Sequence, residues 1–294
     1  MTDYLDTYRQ IEEPYEGVDD LLLQLNHPRG IQFDIDGDPS WDVHAMFYRF
    51  DYRRELPLDA QPTNALTAVA PSGTTLLDFD AIEVLNRFSW PIYLEVRADW
   101  FALLNQGVVQ TATGNSDSHA TQVELAGFPL NLVRCETIAS AACLVDGVRA
   151  GQVTVTTGPV VSLVVDGVGP GGTVVSDSPV AHIRVQAAEW VVVPQVRLIV
   201  NGEPVFVSPI EPGESRDDVG VLDATYSIPI ASSEDSWVVA EAGWPVDEAR
   251  PTDHQAAFGQ TWDRVAPGYL PIGFTNPVRI DVTGDGWQAP GLPD

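Results

Sequence analysis

The chain has no lysine: all 15 of its basic residues are arginine, set against 42 Asp and Glu, for a formal net charge of −27 over 294 residues. A surface this acidic repels phosphate backbones and anionic lipid, which argues against nucleic acid and membrane as partners. An arginine-only basic set points to paired or stacked cations, where a planar fork helps. No apolar run reaches the 18 or more residues of a membrane span, and the opening MTDYLDTYRQIEEPYEG is too acidic for a signal peptide, so nothing in the sequence assigns a compartment. No Gly-x-Ser-x-Gly elbow and no glycine-rich phosphate loop with a lysine is present, which removes two common routes to hydrolysis.

Cysteine is scarce. Cys135 and Cys143 both fall in a helix expected over 134–150, where eight residues at about 1.5 Å each put them ~12 Å apart. That spacing excludes a disulfide and predicts buried free thiols. What the chain does have is apolar mass, 44% hydrophobic with 8 Trp, 8 Tyr and 10 Phe, enough for sizeable cores and against a disordered chain.

Two patterns follow one another. Up to about residue 152, β-like runs (18–25, 76–86, 107–113) alternate with helical ones (3–13, 98–106, 134–150), which argues for an α/β layout with parallel pairing. From residue 153 the runs are short, β-rich and separated by Gly, Pro and Asn-Gly turns, which reads as an antiparallel β-sandwich with a type I′ hairpin at Asn201-Gly202. The expected domains are therefore 1–152 and 153–294. The irregular stretch 31–73, within the first of these, reads as an excursion covering a site rather than part of the core.

Metal-competent side chains collect where strands end. His27 follows the run VDDLLLQL, in an Asn-His-Pro segment whose proline should hold it extended. Asp117 and His119 follow QTATG, two residues apart, so an extended backbone would turn both to one face; the alternative is a solvated polar loop with a helix cap. Glu83 lies inside the run AIEVLN and needs a partner there. His44 and His182 read as surface or strand residues, His254 as a linker residue, and the tail DVTGDG as a strand-ending turn rather than a calcium loop, since the downstream Glu is missing. A mixed nitrogen and oxygen set suits Zn²⁺, Mn²⁺ or Fe²⁺ better than Mg²⁺ or Ca²⁺.

The ordered segments LLLQLNHPRG, DFDAIEVLN, ADWFALLNQG, GNSDSH, GVRAGQVTVTTGP and FTNPVRIDVTGDG resemble the carboxyl-terminal part of a PHP-superfamily metallohydrolase, of the CehA/McbA type that carries a β-sandwich after the catalytic domain. The resemblance implies a partial distorted (β/α)7 barrel and a metal-dependent hydrolase acting on a phosphoester or related small-molecule ester through a metal-bound hydroxide. It implies that His27, Asp117 and His119 are metal ligands, with Glu83 and Asn86 in supporting or substrate-side roles. The family's upstream His-x-His motif has no counterpart among the 25 residues before Asn26-His27-Pro28. The chain is accordingly expected to hold an incomplete, weakly binding site. Its alternative is a non-catalytic remnant whose β-sandwich is a binding or assembly module. A partial barrel also predicts self-association through sheet edges at 18–25 or 76–86.

Charge repulsion on this scale predicts a melting temperature that rises as moderate NaCl screens it. Thermal melts from low to moderate salt test this, and a flat or falling response contradicts it.

Overall fold

The computed structural model describes residues 21–29, 50–51, 56–57, 79–87, 89–120, 125–135, 140–211, 220–231 and 233–292. The expected helix at 3–13, His44 and nearly all of the 31–73 stretch lie outside the described residues.

The amino-terminal part supplies β1 (Gln24–Leu25), a two-residue ladder of β2 (Phe50–Asp51) with β3 (Leu56–Pro57), then β4 (Ala81–Asn86), helix α1 (Trp90–Asn105) and β5 (Thr111–Asn115). β1, β4 and β5 form a sheet in that order, and both pairings are parallel. Parallel strands need a crossover, and α1 provides it between β4 and β5. β4 is central, paired on both sides.

β6 (Leu130–Val133) and helix α2 (Ala141–Arg149) follow, then ten strands: β7 (Val153–Thr156), β8 (Val160–Val165), β9 (Thr173–Val175), β10 (Val180–Ala187), β11 (Gln195–Val200), β12 (Glu203–Pro209), β13 (Leu222–Pro229), β14 (Ser236–Gly243), β15 (Ile272–Thr275) and β16 (Val278–Asp281), with helix α3 (His254–Val265) before β15. One sheet runs β12-β11-β14-β15-β7-β6, with β16 joining β14 to β9; a second is β13-β10-β8. Pairing is antiparallel except between β9 and β16. The molecule is thus mixed but mostly β, with several sheets and none closed. The Asn201-Gly202 hairpin joins β11 to β12 with both residues at positive φ, 53° and 96°, as a type I′ turn requires.

Burial follows from which faces are covered. β10 alternates buried and open residues because one side of its sheet meets water. β14 is buried at every residue: one face of its sheet lies against β8, while α1 covers the other. Phe101 of α1 stacks on Trp237 at 5.0 Å, and Trp100 and Tyr93 lie 6.1 and 5.8 Å from Phe274; such pairs add about 0.5–1.5 kcal/mol each beyond area burial. The same helix packs on β4 through its other side, so every residue from Asp99 to Asn105 is buried. A helix with one exposed face, expected over 98–106, is therefore corrected to a 16-residue helix clamped between two sheets. It starts at Trp90, where Pro91 fits the first turn because the missing N–H has no intrahelical partner there anyway. One apolar cluster runs through both halves of the chain.

The two cysteines correct the sequence reading. Cys135 and Cys143 form a disulfide with their Cα atoms 5.9 Å apart. The helix begins only at Ala141, capped by the Ser140 hydroxyl, which accepts from the Cys143 N–H. Cys135 lies in the extended chain after β6, so helical rise does not separate the pair.

Among the described residues no strand pairs with the outer edge of β5, yet its backbone is satisfied. All five residues are in register with β4, Thr111 N–H and Asn115 C=O bonding to Asp80 and Arg87 on that side, while the Ala112 and Gly114 groups find side-chain partners. Asn276 accepts from Ala112 N at 2.7 Å and donates to Ala112 O at 3.0 Å and Val153 O at 2.9 Å. Asn131 accepts from Gly114 N at 2.9 Å and donates to Gly114 O at 2.7 Å. Two side-chain amides act as a substitute strand. The Asn276 side chain is fully buried, so Asn276→Ala strands several buried groups at a cost of about 1–3 kcal/mol each. Urea unfolding should show a loss of at least ~2 kcal/mol; a neutral variant would contradict this role for the amide.

Candidate functional site

Three parallel strands deliver the site residues from their carboxyl ends: His27 beyond β1, Glu83 and Asn86 within β4, and Asp117 and His119 beyond β5. His27, Glu83 and Asp117 meet in a cleft of about 510 Å³ that Asn115 and Asn131 also line. Of the five residues singled out from sequence the structure brings these three together; Asn86 reaches the group through His27, and His119 lies beside Asp117 outside the cleft lining.

His27 is the hub. Its Nδ1 lies 3.0 Å from Glu83 Oε2, and its Nε2 lies 3.7 Å from Asp117 Oδ1. The His27 backbone N–H donates to the same Glu83 oxygen at 2.8 Å, and Asn86 Nδ2 sits 3.0 Å from Nδ1. Glu83 is almost fully buried, its side chain 1% exposed, a position a carboxylate holds only with partners. Asn115 supplies another by donating to Oε1 at 3.1 Å. With Nδ1 engaged by Glu83, Nε2 is the ring nitrogen turned toward Asp117, the arrangement by which a buried carboxylate orients a ligand histidine.

The second strand end differs. His119 Nδ1 lies 2.8 Å from the Asp117 carbonyl oxygen and 3.5 Å from Asp117 Oδ1, while its side chain is 74% exposed. As donor to that carbonyl, Nδ1 carries the ring proton. The expected extended backbone is corrected at both ends, since φ is +51° at His27 and +44° at Asp117. Left-handed backbone at a residue other than glycine costs on the order of 1–2 kcal/mol, and such strain clusters at functional sites. A turn, not strand periodicity, makes Asp117 and His119 converge.

Several parts hold this geometry. Arg29 grips Asp99 of α1 through two hydrogen bonds, one of them Nη2 to Oδ1 at 2.8 Å, which anchors the His27 loop. Gly114 is needed because a Cβ there would stand 2.5 Å from Val155 Cγ1 and 3.1 Å from Pro129. Asn115 and Asn131 were given no role from sequence. Asn131 sits inside the strand run LNLV, where asparagine is disfavoured unless its amide is used, and that was the available signal.

Two donors on one zinc-sized cation, each at about 2.0–2.2 Å, stand about 3.3–3.6 Å apart in a tetrahedral set. The 3.7 Å between His27 Nε2 and Asp117 Oδ1 is close to that. Among the described residues, no group of three or more His, Cys, Asp and Glu side chains is drawn into a closed metal-binding set. His182 pairs with Ser227 on an exposed strand face, and Asp281 accepts from Gly284 N and Gly286 N, the geometry of a turn. Comparison with protein-family models, characterised proteins and solved structures finds no match.

Hydrogen bonding to Glu83 raises the His27 pKa above its ordinary value, burial opposes this, and the charges of Glu83 and Asp117 add to the rise. Burial pushes Glu83 up, but the His27 ring and backbone hydrogen bonds, the His27 charge and Asn115 outweigh it and leave its carboxyl below the usual value. His27 therefore contributes stability that is full below its unfolded value near 6.5 and is lost as pH rises through the folded pKa. NMR titration of metal-free protein should place His27 above 6.5, and Glu83→Gln should bring it down; a midpoint at or below 6.5 in the unaltered protein contradicts the pairing.

Proposed function

We propose that the chain carries part of the metal centre of a PHP-like hydrolase acting on a phosphoester or related small-molecule ester. In this reading the parallel sheet of β1, β4 and β5 with α1 is a carboxyl-terminal portion of the (β/α)7 barrel, and the metal is Zn²⁺, Mn²⁺ or Fe²⁺. The observation that carries the reading is the meeting of His27 Nε2 with Asp117 Oδ1 in an open cleft, with Glu83 behind His27. Chemistry at the carboxyl ends of parallel strands is the general rule for such sheets.

The donors fit a divalent cation through His27 Nε2, Asp117 Oδ1 and a turned His119. A cation there would lower the pKa of coordinated water toward ~7 and polarise an ester oxygen. The rest falls to the chain's own groups. Glu83 keeps the His27 proton on Nδ1, so that Nε2 presents a lone pair. Asn115 and the His27 N–H hold Glu83 ionised. His119, exposed and bonded through Nδ1 to the Asp117 carbonyl, stands beside the Asp117 carboxylate.

Metal analysis and hydrolysis of p-nitrophenyl phosphate esters with added Mn²⁺ or Zn²⁺ test the reading. Bound metal should be lost in His27→Ala and Asp117→Asn, and Glu83→Gln should weaken metal affinity about 10–100-fold. Substoichiometric metal unaffected by these changes, with no hydrolysis, would sink it and leave the β-sandwich as a binding or assembly module.

A further inference from the structure

Beneath the first two turns of α1, away from the cleft, the molecule buries more positive charge than it neutralises. Arg97 of α1 and Arg197 of β11 share a single carboxylate, Glu241 of β14. Arg97 donates from Nε to Oε1 at 2.6 Å and from Nη2 to Oε2 at 2.9 Å. Arg197 donates from Nε to Oε2 at 3.1 Å and from Nη1 to the Trp244 carbonyl at 3.1 Å. The Arg197 and Glu241 side chains are 3% and 1% exposed and Arg97 13%, so solvent reaches only the rim of the group.

The unused groups are hydrogen-bond donors. Arg197 Nη2 and Trp90 Nε1 are buried with no hydrogen-bond partner, and the Tyr93 hydroxyl, beside the Arg97 guanidinium as acceptor, has no acceptor for its own O–H. Tyr93 packs against Trp90 with ring centroids 5.1 Å apart, and its hydroxyl feels the charges of Glu241, Arg97 and Arg197, so these groups form one cluster. The start of α1 adds to the same sign: its first turn has no acidic side chain, and Ser89 makes no capping bond, which leaves the helix dipole unopposed there. Buried donors without acceptors call for a bound water or ion. Water would satisfy hydrogen bonds but leave the charge; an anion answers both.

We propose that this cluster binds one small monovalent anion of the halide class, held by Arg197 Nη2 and the Tyr93 hydroxyl. Among the described residues the charge excess is one. The free donors are single N–H and O–H groups rather than a fork, which suits a spherical ion better than a planar carboxylate. The site lies on the α1 face of the eight-stranded sheet and is independent of the proposed hydrolase centre.

Thermal unfolding at constant ionic strength, with chloride replaced stepwise by gluconate, tests this apart from general screening. The melting temperature should rise saturably with chloride, by about 3–5 °C at ten times the dissociation constant. Tyr93→Phe should weaken the apparent chloride affinity several-fold, and Arg197→Met should abolish the response. If Arg197→Met does not fold, Tyr93→Phe decides. Equal melting temperatures in chloride and gluconate, or an undiminished chloride response in Tyr93→Phe, would overturn the proposal.

Discussion

The free edge of β5 is the constraint on which the arrangement depends. A parallel strand with neighbours on one side leaves every second residue's N–H and C=O unpaired, and a buried edge of that kind is untenable without partners. Asn276, from the carboxyl-terminal strand pair, and Asn131, from β6, meet those groups at Ala112 and Gly114. Each amide offers one acceptor and a donor in the geometry of a peptide, so two side chains replace a strand. The parallel sheet is thereby spliced to the eight-stranded one. The loop bearing Asp117 and His119 begins just beyond Asn115, the neighbour of Gly114, so the splice also sets its origin.

A second splice is made by α1. It presents Trp100, Phe101 and Tyr93 to the sandwich and apolar residues to β4, and its carboxyl-terminal Asn105 accepts from Trp237 Nε1 at 2.7 Å while donating to the Asn201 carbonyl at 3.1 Å. The buried Arg97–Glu241–Arg197 group lies in this layer. A buried ion group of this kind is weak evidence for net stability, since desolvation opposes the Coulomb gain. It does fix register, because Arg197 and Glu241 are cross-strand neighbours and Arg97 must descend on them from the helix. Through Asp99, which Arg29 grips, α1 also connects the eight-stranded sheet to the His27 loop.

Strand–helix alternation and the Asn-Gly hairpin made the parallel sheet and the β-rich second half readable from sequence, because both rest on local periodicity and turn chemistry. The convergence of His27, Glu83 and Asp117 was readable for a related reason: each stands at or near a strand end, and parallel strands gather their ends. Its backbone was not. Pro28 argues for an extended His27, but the Glu83 contacts hold it left-handed, a tertiary preference outweighing a local one. The disulfide was missed because Ser140, not Arg134, starts the helix, and a cap six residues late reverses the distance argument. The amide splice was invisible because nothing in a single sequence ties Asn131 to Gly114 or Asn276 to Ala112.

The central claim is that His27 and Asp117, backed by Glu83, are ligands of one cation. Anomalous diffraction at the metal edge, from crystals grown with Mn²⁺ or Zn²⁺, tests it most directly. The account predicts a peak about 2.0–2.2 Å from both His27 Nε2 and an Asp117 carboxylate oxygen, with Glu83 still on Nδ1. A cleft without a peak while metal binds elsewhere, or a peak touching His119 but not His27, would contradict it.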